Sequence, residues 1–311
     1  MNKNINLIIG SGVLGAYLST ILLKKKEKII VTSRNKKKKF KNYRFLKIHK
    51  KIKFEQLDVN NSNEIEKIIL SYRPTKIFYF AGQSSLVKST KMKKETNTSH
   101  YLGTKNFLNI LKKNKIKSKF FKSNSGYIFS PKKKVINLSC KLTSSKNPYI
   151  VAQQESFKII KEYRKYDLKL FNLIFFQIES PLRSNDFFIK KVCLHAKKKK
   201  KILVGNINTF RDYSWAPEIA KAIYLISNTK PKDIIISAGK SMSGKEILQY
   251  GYKQNNLNYK KYYKIDKTFI RQNENQYLIS DKKNNYFLKK NFNFKFNIHR
   301  QKLIQEMYQN I

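Results

Sequence analysis

One stretch near the start of the chain, NLIIGSGVLGAYLSTILLKKKEKIIVT from Asn6 to Thr32, constrains the fold more than any other. A short strand-like run ends at Ile9. Three glycines follow at Gly10, Gly12 and Gly15, then a helix-period segment over Val13–Lys25 and a second apolar run over Lys28–Thr32. Strand, turn, helix and strand in that order make a βαβ unit. The turn has the pattern G-x-G-x-x-G, placed directly after a strand and opening a helix. Glycine allows the tight turn and the close approach of backbone N–H groups to a pyrophosphate, and the helix N-terminus adds its positive dipole. In this placement the pattern predicts dinucleotide binding at Gly10, Gly12 and Gly15. A signal peptide or membrane span is disfavoured. The apolar run is broken by Gly10, Ser11, Gly12, Gly15, Ser19 and Thr20, no small-x-small cleavage site precedes Lys24–Lys26, and another strand follows at once. The expectation is a soluble, cytoplasmic protein.

The second strand reports on the cofactor. NAD sites place an acid about 20 residues beyond the glycine turn, to hold the ribose 2′-hydroxyl. Here the strand runs into Val31-Thr-Ser-Arg34-Asn, with no acid, and Arg34 stands where a 2′-phosphate would need a cation. This favours NADP over NAD.

Strand and helix signals continue to alternate. Strands are predicted at Ile52–Val59, Lys76–Phe80, Lys119–Ser123 and Leu168–Phe176. Helices are predicted at Asn63–Tyr72 with Ser62 as N-cap, Tyr101–Lys113, and Tyr149–Tyr166 introduced by Asn147-Pro148. The predicted class is α/β: a Rossmann-type doubly wound parallel sheet, with a smaller discontinuous C-terminal substrate lobe. Residues 1–176 form the cofactor domain, with 212–238 returning to it, and 177–211 and 239–311 form the lobe. After Phe176 the pattern loosens. Glu179–Lys191 reads as loop and helix start, Ile202–Val204 and Ile234–Ser237 as strands, and Trp215–Ser227, Gly244–Tyr250 and Gln301–Tyr308 as helices.

The net charge of +48 is extreme and comes mostly from lysine. Glycine and proline are scarce while Asn, Ile, Phe and Tyr are abundant, a pattern that codon bias in an AT-rich genome produces. The lysine runs are scattered, with no zinc-finger spacing and no basic region followed by heptads. A nucleic-acid partner is therefore not expected. Cys140 and Cys193 lie far apart and the four histidines are isolated, so neither a disulfide framework nor a metal site is expected.

Beyond the glycine turn, further blocks resemble the extended short-chain dehydrogenase/reductase family, and within it the GDP-mannose 4,6-dehydratases. They are Leu57-Asp58-Val59, Ala81-Gly82-Gln83-Ser84, Asn97 with Gly103-Thr104, Phe176-Gln177-Ile178-Glu179-Ser-Pro-Leu-Arg183, Gly205-Asn206, Arg211-Asp212-Tyr-Ser-Trp215-Ala-Pro-Glu218, Phe269-Ile-Arg271 with Glu274, and Asn291-Phe-Asn-Phe-Lys295. The resemblance runs nearly end to end, and RDYSWAPE is its most specific block. It implies a reaction on a nucleotide sugar, GDP-mannose. A hydride leaves C4 of the hexose for NADP⁺, water is lost across C5–C6, and the hydride returns to C6. It also implies a homo-oligomer.

The family carries this chemistry on a Ser or Thr for the C4 oxygen, a Tyr base in Y-x-x-x-K, and a Glu for dehydration. By resemblance Ser125 supplies the hydroxyl and Tyr149 the base, but Gln153 replaces the Lys. Tyr127 falls at the Glu position, unless the match slips by one residue. Free tyrosine titrates near 10, so only about 1 in 1000 is phenolate at pH 7 without a nearby cation. Gln153 can bond a ribose hydroxyl but brings no charge; Lys146 and Lys158 are the nearby lysines that could. Resemblance places Asp58, Val59, Ala81, Gly82, Tyr149 and Gln153 on the cofactor. It places Gln177, Lys190, Lys191, Arg211, Arg271 and Glu274 on the substrate, with the arginines on its diphosphate. Three readings follow: a 4,6-dehydratase, a redox or epimerising relative without the dehydration step, and a catalytically degenerate cofactor-binding protein.

Overall fold

The computed structural model describes residues 4–35, 40–270 and 274–311. The chain divides into two compact units. The first comprises Met1–Phe129, Lys141–Phe175 and Ala220–Ile234, and the second Ser130–Cys140, Phe176–Ile219 and Ile235–Ile311.

The first unit carries a sheet built from β1 (Ile5–Ile9), β2 (Lys28–Ser33), β3 (Lys53–Gln56), β4 (Lys76–Tyr79), β5 (Lys119–Ser125) and β6 (Leu170–Phe175). Adjacent strands pair in parallel in the order β3-β2-β1-β4-β5-β6, and a seventh strand at Asp233–Ile236 lies beside β6. The order reverses between β1 and β4, the switch point at which Rossmann-type sheets bind ligands outside the strand C-termini. The connecting helices are α1 (Val13–Lys24), α2 (Ser62–Tyr72), α3 (Gly103–Lys113) and α4 (Pro148–Tyr163). The predicted class and the order of elements in this sheet are those observed.

Leu7, Ile9, Ile77, Tyr79 and Phe120 from the strands pack with Ile65, Phe107, Leu111 and Ile160 from the helices, all fully buried or nearly so. Each such side chain stabilises by about 1.5–3 kcal/mol, which is why the near-continuous apolar strands settle inside a sheet covered by helices.

Local departures have local causes. α2 begins one residue early because Asn61, not Ser62, is the N-cap: its side chain accepts from Asn63 N and Glu64 N. β3 ends at Gln56, and Leu57-Asp58-Val59 leaves the sheet because the Asp58 carboxylate accepts the Asn60 N–H at 2.9 Å. The helix expected from Tyr101 opens as a π-helical turn over Thr98–Leu102 and becomes α-helical at Gly103.

The second unit holds strands at Gln177–Glu179 (β7), Ile202–Val204 (β8), Phe210–Trp215 (β9), Ser241–Ser243, Tyr263–Ile265 and Tyr277–Leu278. Its longer helices include Phe188–Lys197, Gly244–Lys253 and Arg300–Gln309. β9 is its centre, pairing with β7, Ser241–Ser243 and Tyr277–Leu278. This pairing draws residues 212–219 into the second unit, where the sequence had placed them with the first. Residues 237 and 238, past the end of the seventh strand, go with it, and Ala238 N donates to Ser214 Oγ at 2.8 Å. Segment 130–140 joins because Ile136 N donates to Ile279 O at 2.8 Å. Among the described residues no helix is long and apolar enough to cross a membrane.

Candidate active site

In the first unit the three glycines have separate jobs. Gly10 adopts φ +101°, and a Cβ there would stand 3.0 Å from Ala81 N, so only glycine fits the turn between β1 and the end of β4. A Cβ on Gly15 would lie 2.9 Å from Ile8 Cγ2, which lets α1 lie close on β1. Beside Gly12 there is open space for 4 Å. Gly12 is also the N-cap of α1, and no side chain caps that helix start. An open, uncapped helix N-terminus fits a dinucleotide pyrophosphate, which would take its N–H groups.

Arg34, just past β2, is exposed and ion-pairs with Glu95 at 2.6 Å. The Asp58 N–H donates to Glu64 Oε2 at 2.8 Å, and Val59 is buried with its carbonyl accepting from Asn106 at 3.1 Å. Ala81 and Gly82 follow β4 directly. Gly82 has φ +124°, and a Cβ on it would collide with the His100 ring at 2.2 Å.

Tyr149 opens α4. Its N–H donates to Asn147 Oδ1 at 3.0 Å, the helix N-cap expected of Asn-Pro. Gln153 lies one turn on, and both side chains meet His100. The Tyr149 ring stands edge-to-face with the imidazole at 5.4 Å between centroids. Gln153 Nε2 lies 3.3 Å from His100 Nδ1, and His100 Nε2 lies 2.9 Å from Gln83 O. Gln83 O only accepts, so Nε2 carries the proton and Nδ1 accepts from the amide. Burial, with the nearby Lys122 charge adding to it, pulls His100 down to about 3, so the ring is neutral at physiological pH. Gln153 Oε1 is buried with no hydrogen-bond partner.

Ser125 ends β5, buried, with its Oγ accepting the Tyr127 N–H at 3.3 Å. Tyr127 sits in the short turn Gly126–Ile128 that follows. Of the two lysines proposed to replace the missing one, Lys146 is exposed and Lys158 leans on Glu155 at 3.6 Å with most of its side chain in solvent. Lys122, on β5, is instead fully buried.

In the second unit, Gln177 pairs in register with Tyr213. Lys190 Nζ donates to Pro181 O at 2.7 Å and Arg183 O at 2.8 Å, so it pins the E-S-P-L-R turn. Lys191 Nζ donates to Leu203 O at 3.2 Å and lies 5.0 Å from the centre of the Phe269 ring. Lys191 and Phe269 line a 630 Å³ cavity with His195, Lys198 and Lys200. Arg211 and Glu274 hold each other at 2.9 Å, nearly buried, and Arg211 Nη1 also donates to Phe210 O and Gln276 O. Arg211 therefore keeps Nε–H and one further N–H for another acceptor. Arg271 lies outside the described residues.

Sequence reasoning missed His100 and Lys122, and it did not single out the buried carboxyls Glu179 and Asp212. Burial pushes both acids up to about 7. Asp212 is held by backbone N–H groups of Gly239, Ser280 and Lys240, while Glu179 Oε2 has no hydrogen-bond partner. The available signal was position: His100 lies three residues before Gly103-Thr104, and Glu179 and Asp212 stand inside the two matched motifs.

Comparison with known proteins bears on this arrangement. The family model described as GDP-mannose 4,6 dehydratase matches residues 7–307. The GDP-mannose 4,6 dehydratase of Dictyostelium discoideum is 25% identical over 206 residues, covering 63% of this chain and 58% of that protein. GDP-mannose 4,6 dehydratase 1 of Arabidopsis thaliana is 24% identical over 302 residues, 90% of this chain and 82% of that one. Against the Dictyostelium and Caenorhabditis elegans relatives the chain thus spans little more than half of their length, 58% and 53%. The structure of UDP-glucuronic acid 4-epimerase from Bacillus cereus, in complex with UDP-glucuronic acid and NAD, superposes with a TM-score of 0.86 at 16% identity over 98% of both chains. That of dTDP-glucose 4,6-dehydratase from Bacillus anthracis, in complex with NAD, gives 0.84 at 17% identity, covering 99% of this chain and 96% of the other. The solved structures speak for the fold, and the match across both glycine turn and RDYSWAPE block speaks for more: the chain belongs to the GDP-mannose 4,6-dehydratase family.

Proposed function

We propose that the protein is an NADP-dependent nucleotide-sugar dehydratase-like enzyme that converts GDP-mannose to GDP-4-keto-6-deoxymannose. One observation carries the reading. Tyr149 and Gln153, one helical turn apart, are locked on His100 in the same unit as an open, uncapped glycine-rich helix start. In this reading Gly10, Gly12 and Gly15 seat the pyrophosphate, Arg34 takes the 2′-phosphate, Asp58 and Val59 flank the adenine end, and Ala81 and Gly82 let the cofactor pass close to β4. NADP held there would supply the reversible hydride chemistry that this reaction needs. Ser125 Oγ holds the C4 oxygen and Tyr149 takes the C4 hydroxyl proton. Arg211, Arg271 and Lys191 meet the two diphosphate charges, for which guanidinium forks are suited, and Gln177, Lys190 and Glu274 support the sugar nucleotide.

Tyr127 favours a second reading. A phenol is a far weaker base than a carboxylate-activated system near neutral pH, so a relative that oxidises and reduces C4 without losing water fits this position better. Mass spectrometry of GDP-mannose incubated with the protein and NADP⁺ separates the two. The first reading expects a product lighter by one water; an unchanged mass with cofactor bound leaves the second reading or a catalytically degenerate protein, which sugar analysis of the recovered nucleotide separates.

A further inference from the structure

Lys76 and Lys122 are buried in the parallel sheet and Lys119 is partly buried there; Lys76 and Lys119 are structural pins. Lys76, at the start of β4, donates to Asn228 Oδ1 at 2.9 Å. Lys119, at the start of β5, donates to the carbonyls of Ser227 and Thr229 at 3.1 and 3.0 Å. Lys122 differs. It lies three residues further along β5, about 10 Å nearer the strand C-terminus at ~3.3 Å per residue, and three residues before Ser125. It is 0% exposed. Its Nζ donates to Ser123 O and lies 5.5 Å from the centre of the Tyr79 ring. No carboxylate among the described residues pairs with it.

A buried ammonium without a counter-ion costs stability, and desolvation accordingly pulls Lys122 down to about 7. Around it stands a group that the fold has organised in detail. In register with it are Tyr79 on β4 and Asn172 on β6. The Tyr79 hydroxyl donates to Ser99 O at 2.7 Å, fixing the turn that carries His100. His100 is close enough to feel the Lys122 charge. His100 in turn orients the Gln153 amide through Nδ1, leaving Oε1 buried and without a partner. The titratable groups that face Lys122 are thus Tyr79, itself in the field of Asp58, and His100. On the β6 side, Asn172 is uncharged, and the Asp233 carboxylate beyond it is held by Arg164 at 2.6 Å and by Asn172 at 2.9 Å.

We propose that Lys122, His100 and Gln153 divide between them the work of the lysine missing from Y-x-x-x-K. In its protonated form Lys122 supplies a buried positive charge that favours the Tyr149 phenolate. His100 fixes the Gln153 amide, whose free Oε1 accepts a hydroxyl from the cofactor ribose. Lys122 is a positioning residue, acting on Tyr149 by way of His100, whose ring stands edge-to-face with the Tyr149 ring. The proposal rests on Tyr149 being the base.

The test reads the ionisation of Tyr149 directly and needs no turnover. The full-length protein is labelled with ¹³Cζ-tyrosine, the Tyr149 signal is assigned with Tyr149→Phe, and its titration midpoint is measured. Lys122→Met, a near-isosteric apolar replacement that removes a buried charge, should fold and should raise the midpoint by about one pH unit or more, a tenfold loss of phenolate. Adding Gln153→Lys to Lys122→Met should bring it back. A midpoint that stays put in Lys122→Met, or that rises there and is not restored by Gln153→Lys, overturns the proposal. Failure of the wild-type protein to remove water from GDP-mannose would count against the proposed reaction and would leave this midpoint comparison standing.

Discussion

Arg34 shows how far single residues could be read in advance and where reading stops. Its position after β2 follows from chain order, but its ion pair with Glu95, 61 residues on, does not. The two make opposite demands on a dinucleotide, since Glu95 competes for the cation that a 2′-phosphate needs. Arg34→Ala should therefore weaken NADP⁺ binding about tenfold or more, the range of a charge-assisted hydrogen bond, and leave NAD⁺ binding nearly unchanged. Glu95→Gln should tighten NADP⁺ several-fold. Fluorescence titration with NADPH and NADH measures both, and equal losses for both cofactors in Arg34→Ala would remove Arg34 from the 2′-phosphate role. His100 was illegible for the same reason as Glu95. An isolated histidine signals nothing until the fold sets it between Gly82, Tyr149 and Gln153.

At the scale of elements, legibility followed hydrophobic period. β1, β2, β4, β5 and β6 are buried apolar runs bounded by turn residues, and their approximate extents were readable. β9 was missed as a strand because Phe210–Trp215 carries Arg211 and Asp212, charges that sequence rules assign to a loop. Both are buried there, Arg211 against Glu274 and two carbonyls and Asp212 on backbone N–H groups, and these partners come from distant segments. α4 was readable through Asn147-Pro148, and its N-cap does more than start a helix. Asn147 Oδ1 accepts from Tyr149 N at 3.0 Å and from Ser89 Oγ at 3.2 Å, and its Nδ2 donates to Leu86 O at 3.3 Å. Asn147→Ala should cost about 1–2 kcal/mol of stability, measured as a lower urea midpoint with unchanged slope. It should also blunt any activity, because Tyr149 loses its anchor. A midpoint equal to wild type would show that the cap is idle.

For the whole molecule, the net charge of +48 says less than the few charges that are buried. Glu179 is fully buried and pushed from 4.5 up to about 7. Its folded form therefore holds a proton that the unfolded form gives up between those values. Its stabilising contribution is fully present below about pH 4.5 and is lost as pH rises through about 7. Glu179→Gln should remove that loss: relative to wild type, the variant gains up to about 3 kcal/mol of stability between pH 4.5 and 7. Denaturant melts at both pH values check this, and parallel curves for the two proteins would contradict it. Asp212, also pushed up to about 7, adds a slope of the same sign and is unchanged in the variant. Whether this scaffold eliminates water despite Gln153 and Tyr127 is read by incubating the protein with GDP-mannose and NADP⁺ in D₂O. Elimination followed by hydride return to C6 requires a solvent hydrogen at C5. The account predicts a sugar nucleotide lighter by one water and carrying one carbon-bound deuterium, at C5. GDP-mannose recovered without loss of water, with or without deuterium, would contradict it.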